Sequence, residues 1–193
     1  MRIFLAGASG VIGQRLIARL VRARHVVGGM THHAGEAELL CRLGAEPILC
    51  DVFDQETLVK AVRGFKPDVI LDEVTDLPDD PARISEQAGR NARIRTEGTQ
   101  NLIEAARRSG SPKILAQSVD WQLPDGPDAQ AVAALERSVI AEGGVVLRYG
   151  QFYGPGTYNE QQRPEGPRVH IDRAAERTVE ALDESSAVVV IVD

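Results

Sequence analysis

The chain has 193 residues, 43% hydrophobic and 26% charged, enough apolar material for one domain with a substantial core. A net charge of −6 speaks against nucleic acid as a partner. No apolar run approaches the roughly 20 residues of a membrane span, and the apolar part of MRIFLAG is too short for a signal peptide, so a cytoplasmic chain with no membrane partner is expected.

In chain order, Ile3–Ala6 reads as a strand and Val11–Ala23 as a helix with Val11, Ile12, Leu16, Ile17, Leu20 and Val21 on one face. A second strand spans His25–Met30, a short helix Glu36–Leu43 and a third strand Glu46–Cys50. Cys41 and Cys50 have no C-x-x-C spacing and read as small apolar residues. Gln55–Val62 is helical and Asp68–Leu71 a fourth strand. A long polar helical stretch follows from about Pro81 to Arg108, then a strand at Lys113–Ala116 and a helix at Ala131–Ala141 striped by Val132, Leu135, Val139 and Ile140. The last elements are a strand at Gly144–Leu147, a helix at Ile171–Leu182 and a strand at Ala187–Val192. Strands separated by helices imply right-handed crossovers and an α/β fold, a doubly wound parallel sheet with helices on both faces. The expected organisation is a single domain over residues 1–193. Residues 154–169, GPGTYNEQQRPEGPRV, have no periodicity and form a substrate loop or a surface excursion.

The segment AGASGVIGQRL places Gly7, Gly10 and Gly13 after the first strand and at the start of a helix, the context a dinucleotide site requires. Gly7 suits a tight turn, Gly10 a close approach of backbone to a pyrophosphate, and Gly13 close helix–strand packing. The free N–H groups of the helix start supply partial positive charge. Gly7, Ser9, Gly10, Val11, Ile12 and Gly13 are therefore the candidate cofactor-binding residues of this loop. After the second strand no carboxylate appears until Glu36, so nothing is poised to clasp the ribose hydroxyls of NAD. Thr31 and His32, with Arg15, are candidates for a 2′-phosphate, and the cofactor reading is NADP or NAD with NADP favoured. His32 and His33 are otherwise surface loop residues. Asp51 and Val52 follow the third strand beside the expected adenine; Asp51 either accepts from the adenine amine or caps the helix near Gln55.

These segments together resemble the short-chain dehydrogenase/reductase superfamily, in its extended or atypical NAD-dependent epimerase/dehydratase branch. The resemblance runs through FLAGASGVIGQRL, GAEPILCDVFD, DVILDEVTDLP, RTEGTQNLIEAARRSG, KILAQSVDW, ALERSVIAEGGVVLRYGQFYGPGT and VHIDRAAERTVEAL, nearly the whole chain. It implies a Rossmann fold, bound NAD(P), a small-molecule substrate and a homodimer formed through two long helices. The family's catalytic serine is matched by Ser118, but its Asn falls on Arg95, and its Tyr-x-x-x-Lys falls on Asp128 and Val132. No Tyr precedes Arg148, and Lys60, Lys66 and Lys113 are the only lysines. The Tyr handles the substrate proton and the Lys lowers its pKa, so the usual hydride route lacks its acid/base partner.

Ser118, Tyr149 and Tyr153 are the candidate catalytic residues, the two tyrosines as substitute acids or as packing over the ligand. Asp72, Glu73 and Asp76 end the fourth strand, and Glu73 or Asp72 is a candidate base if not a solvated loop charge. His170 is expected to orient the helix it precedes. The C-terminal part is short for a nucleotide-sugar lobe. The expected function is an NAD(P)-dependent oxidoreductase or epimerase-like enzyme on a small carbonyl, alcohol or sugar-like substrate. The alternatives are a non-catalytic dinucleotide sensor and a non-redox isomerase or cyclase.

Overall fold

A computed structural model of the chain describes residues 1–78, 80–84, 86, 88–185 and 187–193. Seven strands form one fully parallel sheet: β1 (Arg2–Ala6), β2 (Val26–Thr31), β3 (Glu46–Leu49), β4 (Val69–Asp72), β5 (Lys113–Val119), β6 (Val145–Tyr149) and β9 (Ala187–Ile191). Their order is β3-β2-β1-β4-β5-β6-β9, so the direction of winding reverses between β1 and β4. Ala6 lies opposite Met30 on one side and Asp72 on the other, which brings the carboxyl ends of these strands level. A crevice outside those ends is where such sheets bind ligands.

The inner strands are continuous apolar runs because helices cover both faces. On one face α1 (Val11–Arg22) and α7 (Ile171–Glu180) bury Leu16, Ile17, Leu20, Ala174 and Ala175 against the sheet. On the other, α3 (Gln55–Phe65), α5 (Thr99–Arg107) and α6 (Pro127–Ala141) contribute Leu58, Val62, Leu102, Ile103 and Leu135. The short α2 (Ala37–Leu43) ends at Gly44. Among the described residues no helix is long and apolar enough to cross a membrane.

Three sequence expectations change. The helix near Gln55 is capped by Asp54, whose side chain accepts from the Thr57 N–H, while Asp51 Oδ1 accepts from the Phe53 N–H two residues on. Asp54 wins because it stands one residue before the first turn, where a carboxylate reaches the free N–H groups. The polar stretch from Pro81 is not one helix: a 3₁₀ turn at Pro81–Arg83 precedes α4 (Ala88–Arg93), a π turn at Ile94–Gly98 and then α5. The segment 154–169 is irregular only up to Pro167. Arg168 and Val169 belong to β8 (Arg168–His170), which pairs in parallel with β7 (Gln151–Tyr153) in a small second sheet.

Candidate functional site

A cleft of about 790 Å³ opens at the winding reversal. Its walls come from the α1 start, the ends of β4, β5 and β6, the π turn and the loop after β7. Gly10, Val11 and Ile12 form the wall at the α1 N-terminus. No side chain caps that helix, so the N–H groups of its first turn, which have no intrahelical acceptor, face the cleft. Gly7 has φ +79°, and a Cβ there would lie 2.5 Å from the Glu73 carbonyl oxygen. A Cβ on Gly13 would lie 2.3 Å from the Gly7 carbonyl oxygen. The two glycines let β1, the α1 start and β4 close on one another, and the turn that results is a bare, positively polarised cradle suited to a diphosphate.

Glu73 stands immediately after β4, 4% exposed, on the cleft wall. The Tyr149 hydroxyl lies 2.9 Å from Glu73 Oε1 and 2.5 Å from Thr178 Oγ1, and Thr178 donates onward to the Ala174 carbonyl at 2.8 Å. Tyr149 donates to Glu73 Oε1, so Glu73 is the acceptor of this pair. Burial raises the Glu73 carboxyl from 4.5 to about 8, against the pull of the Tyr149 hydrogen bond and with a push from Asp72. Burial, and then the charge of an ionised Glu73, also hold the Tyr149 phenol well above its ordinary value. Glu73 Oε2 is buried and has no partner. The wall thus stores a proton on a carboxyl, with Tyr149 and Thr178 as its hydrogen-bonded support.

Ser118 is fully buried on the same wall and donates to Glu136 Oε1 at 2.6 Å. Glu136 on α6 also accepts two bonds from the Arg148 guanidinium, at 2.8 Å and 2.6 Å. Burial pushes the Glu136 carboxyl up, but these bonds outweigh it and hold it below its usual value. Ser118, the residue expected to hold a substrate oxygen, thus stands on the cleft wall with its hydroxyl donating to Glu136. Asp128 and Val132 line the cleft where the family resemblance places Tyr and Lys.

The other candidate residues spread out. Tyr149 is at the cleft, whereas the Tyr153 hydroxyl donates to Asp193 at 2.6 Å, and its ring packs edge-on against His170. The hydrogen bond to the Asp193 carboxylate raises the Tyr153 pKa, and Tyr153 stands at the β7–β8 corner, outside the cleft lining. Thr31 is buried; its hydroxyl accepts from the His33 N–H and lies 3.4 Å from Ser9 Oγ. His32 is exposed and stacks on His33. Arg15 is tied to the Val11 carbonyl, the Pro155 carbonyl and Asp172. Val52 is buried. Asp72 accepts from Thr99 at 2.8 Å, Asp76 pairs with Arg90, and His170 caps α7. Glu136, Trp121 and Thr178 carry weight here without having been singled out. The sequence signal for Glu136 was its carboxylate within the apolar stripe of a helix facing Arg148. Among the described residues no three metal-ligating side chains cluster.

Residues 3–142 match the NAD dependent epimerase/dehydratase family. A 3-diazoavenalumate denitrifying reductase of Streptomyces sp. is 37% identical over 183 residues, covering 81% of this chain and 58% of that protein. A 4-hydroxy-2-methyl-3-oxo-4-farnesyl-3,4-dihydroquinoline-1-oxide ketoreductase of Stigmatella aurantiaca is 29% identical over 126 residues, 65% of this chain and 36% of that protein. The chain thus spans little more than half the length of the first of these relatives and about a third of the second. Among solved structures, the UDP-glucose 4-epimerase of Thermus thermophilus in complex with NAD superposes with TM-score 0.82 at 20% identity, covering 100% of this chain and 78% of that one. The UDP-glucose 4-epimerase of Thermotoga maritima with UDP-glucose gives TM-score 0.81 at 18% identity, covering 100% and 77%.

Proposed function

The chain belongs to the NAD-dependent epimerase/dehydratase family, and from that premise we propose that it is an NAD(P)-dependent reductase of a small electron-poor substrate, with Glu73 and Tyr149 in place of the family's Tyr–Lys pair. The observation that carries this is the uncapped α1 start, which turns its N–H groups into a cleft that also holds a protonated carboxyl.

The α1 N-terminus, with Gly7, Gly10 and Gly13, would hold the coenzyme diphosphate. A bound nicotinamide coenzyme supplies a hydride. The chain's own residues then have three tasks. The apolar wall of Val119, Trp121, Leu123 and Phe152 keeps water away from the reacting centre. Glu73 keeps a proton available at neutral pH, and Tyr149 fixes its carboxyl orientation. A well-placed acid of this kind typically contributes ~10²–10⁴-fold in rate. NADP is the coenzyme of choice, because Thr31 ends β2 and His32 follows it, where a ribose-clasping carboxylate would stand in an NAD enzyme. The two reductase-named relatives support hydride chemistry over epimerisation.

Calorimetric titration with NADP⁺ and NAD⁺ tests the reading. Saturable binding, tighter for NADP⁺, is expected, followed by NADPH oxidation when aromatic ketones or aryl diazo compounds are offered. Silence in both titrations at about millimolar coenzyme sinks the proposal. Binding without turnover on any substrate would instead favour a dinucleotide sensor, a reading that Asp128 and Val132 at the Tyr and Lys positions keep in view.

A further inference from the structure

We propose that the cleft holds its substrate by an anionic group, a carboxylate on a flat conjugated frame, and that Arg95 is the residue that receives it. This rests on the reductase reading and names the substrate class of the same cleft. Arg95 sits in the π turn, where one extra residue per turn aims it inward from an otherwise polar helix. It is 8% exposed, it lines the cleft, and its Nη1 is buried without a hydrogen-bond partner.

A guanidinium removed from water needs a counter-charge and acceptors for its fork of donors. Among the described residues none pairs with it directly. Asp128, Asp72 and Glu136 are near enough to act on its charge, against the opposing effect of burial. Two of them are already engaged. Asp72 accepts from the Thr99 hydroxyl and the Val74 N–H, and Glu136 accepts from Arg148 and Ser118. Asp128 retains a buried Oδ1 with no partner and, among the described residues that act on the Arg95 charge, is the one carboxylate not so engaged. An incoming carboxylate completes Arg95 with bidentate geometry that Asp128 does not achieve. The surrounding wall of Leu77, Ile84, Trp121, Leu123 and Phe152 suits a flat apolar frame attached to that carboxylate. The coenzyme phosphates have their own seat at the α1 start, so Arg95 is left for the substrate.

Trp121, the only tryptophan, lies on the cleft wall and reports occupancy by fluorescence. The protein, saturated with NADP⁺, is titrated with cinnamate and with cinnamide, an uncharged molecule of the same frame. Cinnamate is expected to bind about 10- to 100-fold more tightly, the range of a charge-assisted hydrogen bond. Arg95→Met is expected to bring the two to parity with NADP⁺ affinity unchanged, and Arg95→Lys to restore part of the preference. Asp128→Asn, which removes the competing carboxylate, is expected to widen it. Equal binding of the two probes, no quenching by cinnamate, or a preference that survives in Arg95→Met overturns the proposal. So does an Arg95→Met protein that loses NADP⁺ instead, since Arg95 would then serve the coenzyme. Should Arg95→Met fail to fold, a cinnamate preference that Arg95→Lys and Asp128→Asn leave untouched overturns it equally. Failure of the native protein to bind NADP⁺ strikes the reductase reading alone, because the two probes still discriminate or not on the coenzyme-free protein.

Discussion

The Glu73 carboxyl is a proton store only because nothing nearby compensates its charge. Its pKa is raised from 4.5 to about 8 chiefly by burial, so the folded chain keeps it neutral where the unfolded chain ionises it. Its contribution to stability is therefore intact below pH 4.5 and is lost progressively as the pH rises through about 8. Urea unfolding at about pH 5 and about pH 8 is expected to show the native protein losing on the order of 3–5 kcal/mol relative to Glu73→Gln across that interval. An unchanged difference between the two proteins at both pH values would mean that Glu73 is ionised throughout. Sequence reading reached Glu73 and Tyr149 as separate candidates, at the ends of strands four and six. Their meeting depends on the register that levels β1, β4, β5 and β6, and no local pattern encodes register between strands 76 residues apart. The separation of Tyr153 from the Glu73–Tyr149 pair has the same origin. It lies four residues after Tyr149, but the chain leaves the main sheet at Gly150 and enters a second one.

At the scale of elements the glycine turn and α1 were readable because their rules are local: an apolar run, glycines at fixed offsets, and a 3.6-residue stripe. Gly13 is the joint between them. Gly13→Ala would place a methyl 2.3 Å from the Gly7 carbonyl oxygen and 2.7 Å from that of Ala8, both backbone atoms. A loss of about 2 kcal/mol or more is expected by chemical denaturation, as for other forced overpacking, together with a collapse of NADP⁺ affinity in calorimetry. A Gly13→Ala protein as stable and as avid as the native one would show that the α1 start does not need this close approach. The π turn escaped notice because a single inserted residue leaves the apolar spacing of the long polar stretch almost unchanged. The β7–β8 pair escaped it because three-residue strands are too short to establish an alternating pattern.

At the scale of the whole molecule, the seven-stranded sheet lies between two apolar layers. β1 contributes Ile3 and Leu5 to one layer and Phe4 and Ala6 to the other, and β5 and β6 divide in the same way. Neither layer can dissolve without exposing the strands that the other needs. A single cooperative transition is expected, with near- and far-ultraviolet circular dichroism superimposing through the melt; two resolved steps would mean that the layers are separable. One contact reaches further. Gly7 packs so closely on the backbone of residue 73 that a Cβ there would lie 2.5 Å from the Glu73 carbonyl oxygen, which ties the turn proposed to hold the coenzyme to the buried carboxyl. On the proposed function, occupancy of one is expected to bias the other, and the bias is reciprocal. Heats of coenzyme association recorded in phosphate and in Tris should differ in proportion to the number of hydrogen ions exchanged with buffer, and Glu73→Gln should erase that difference.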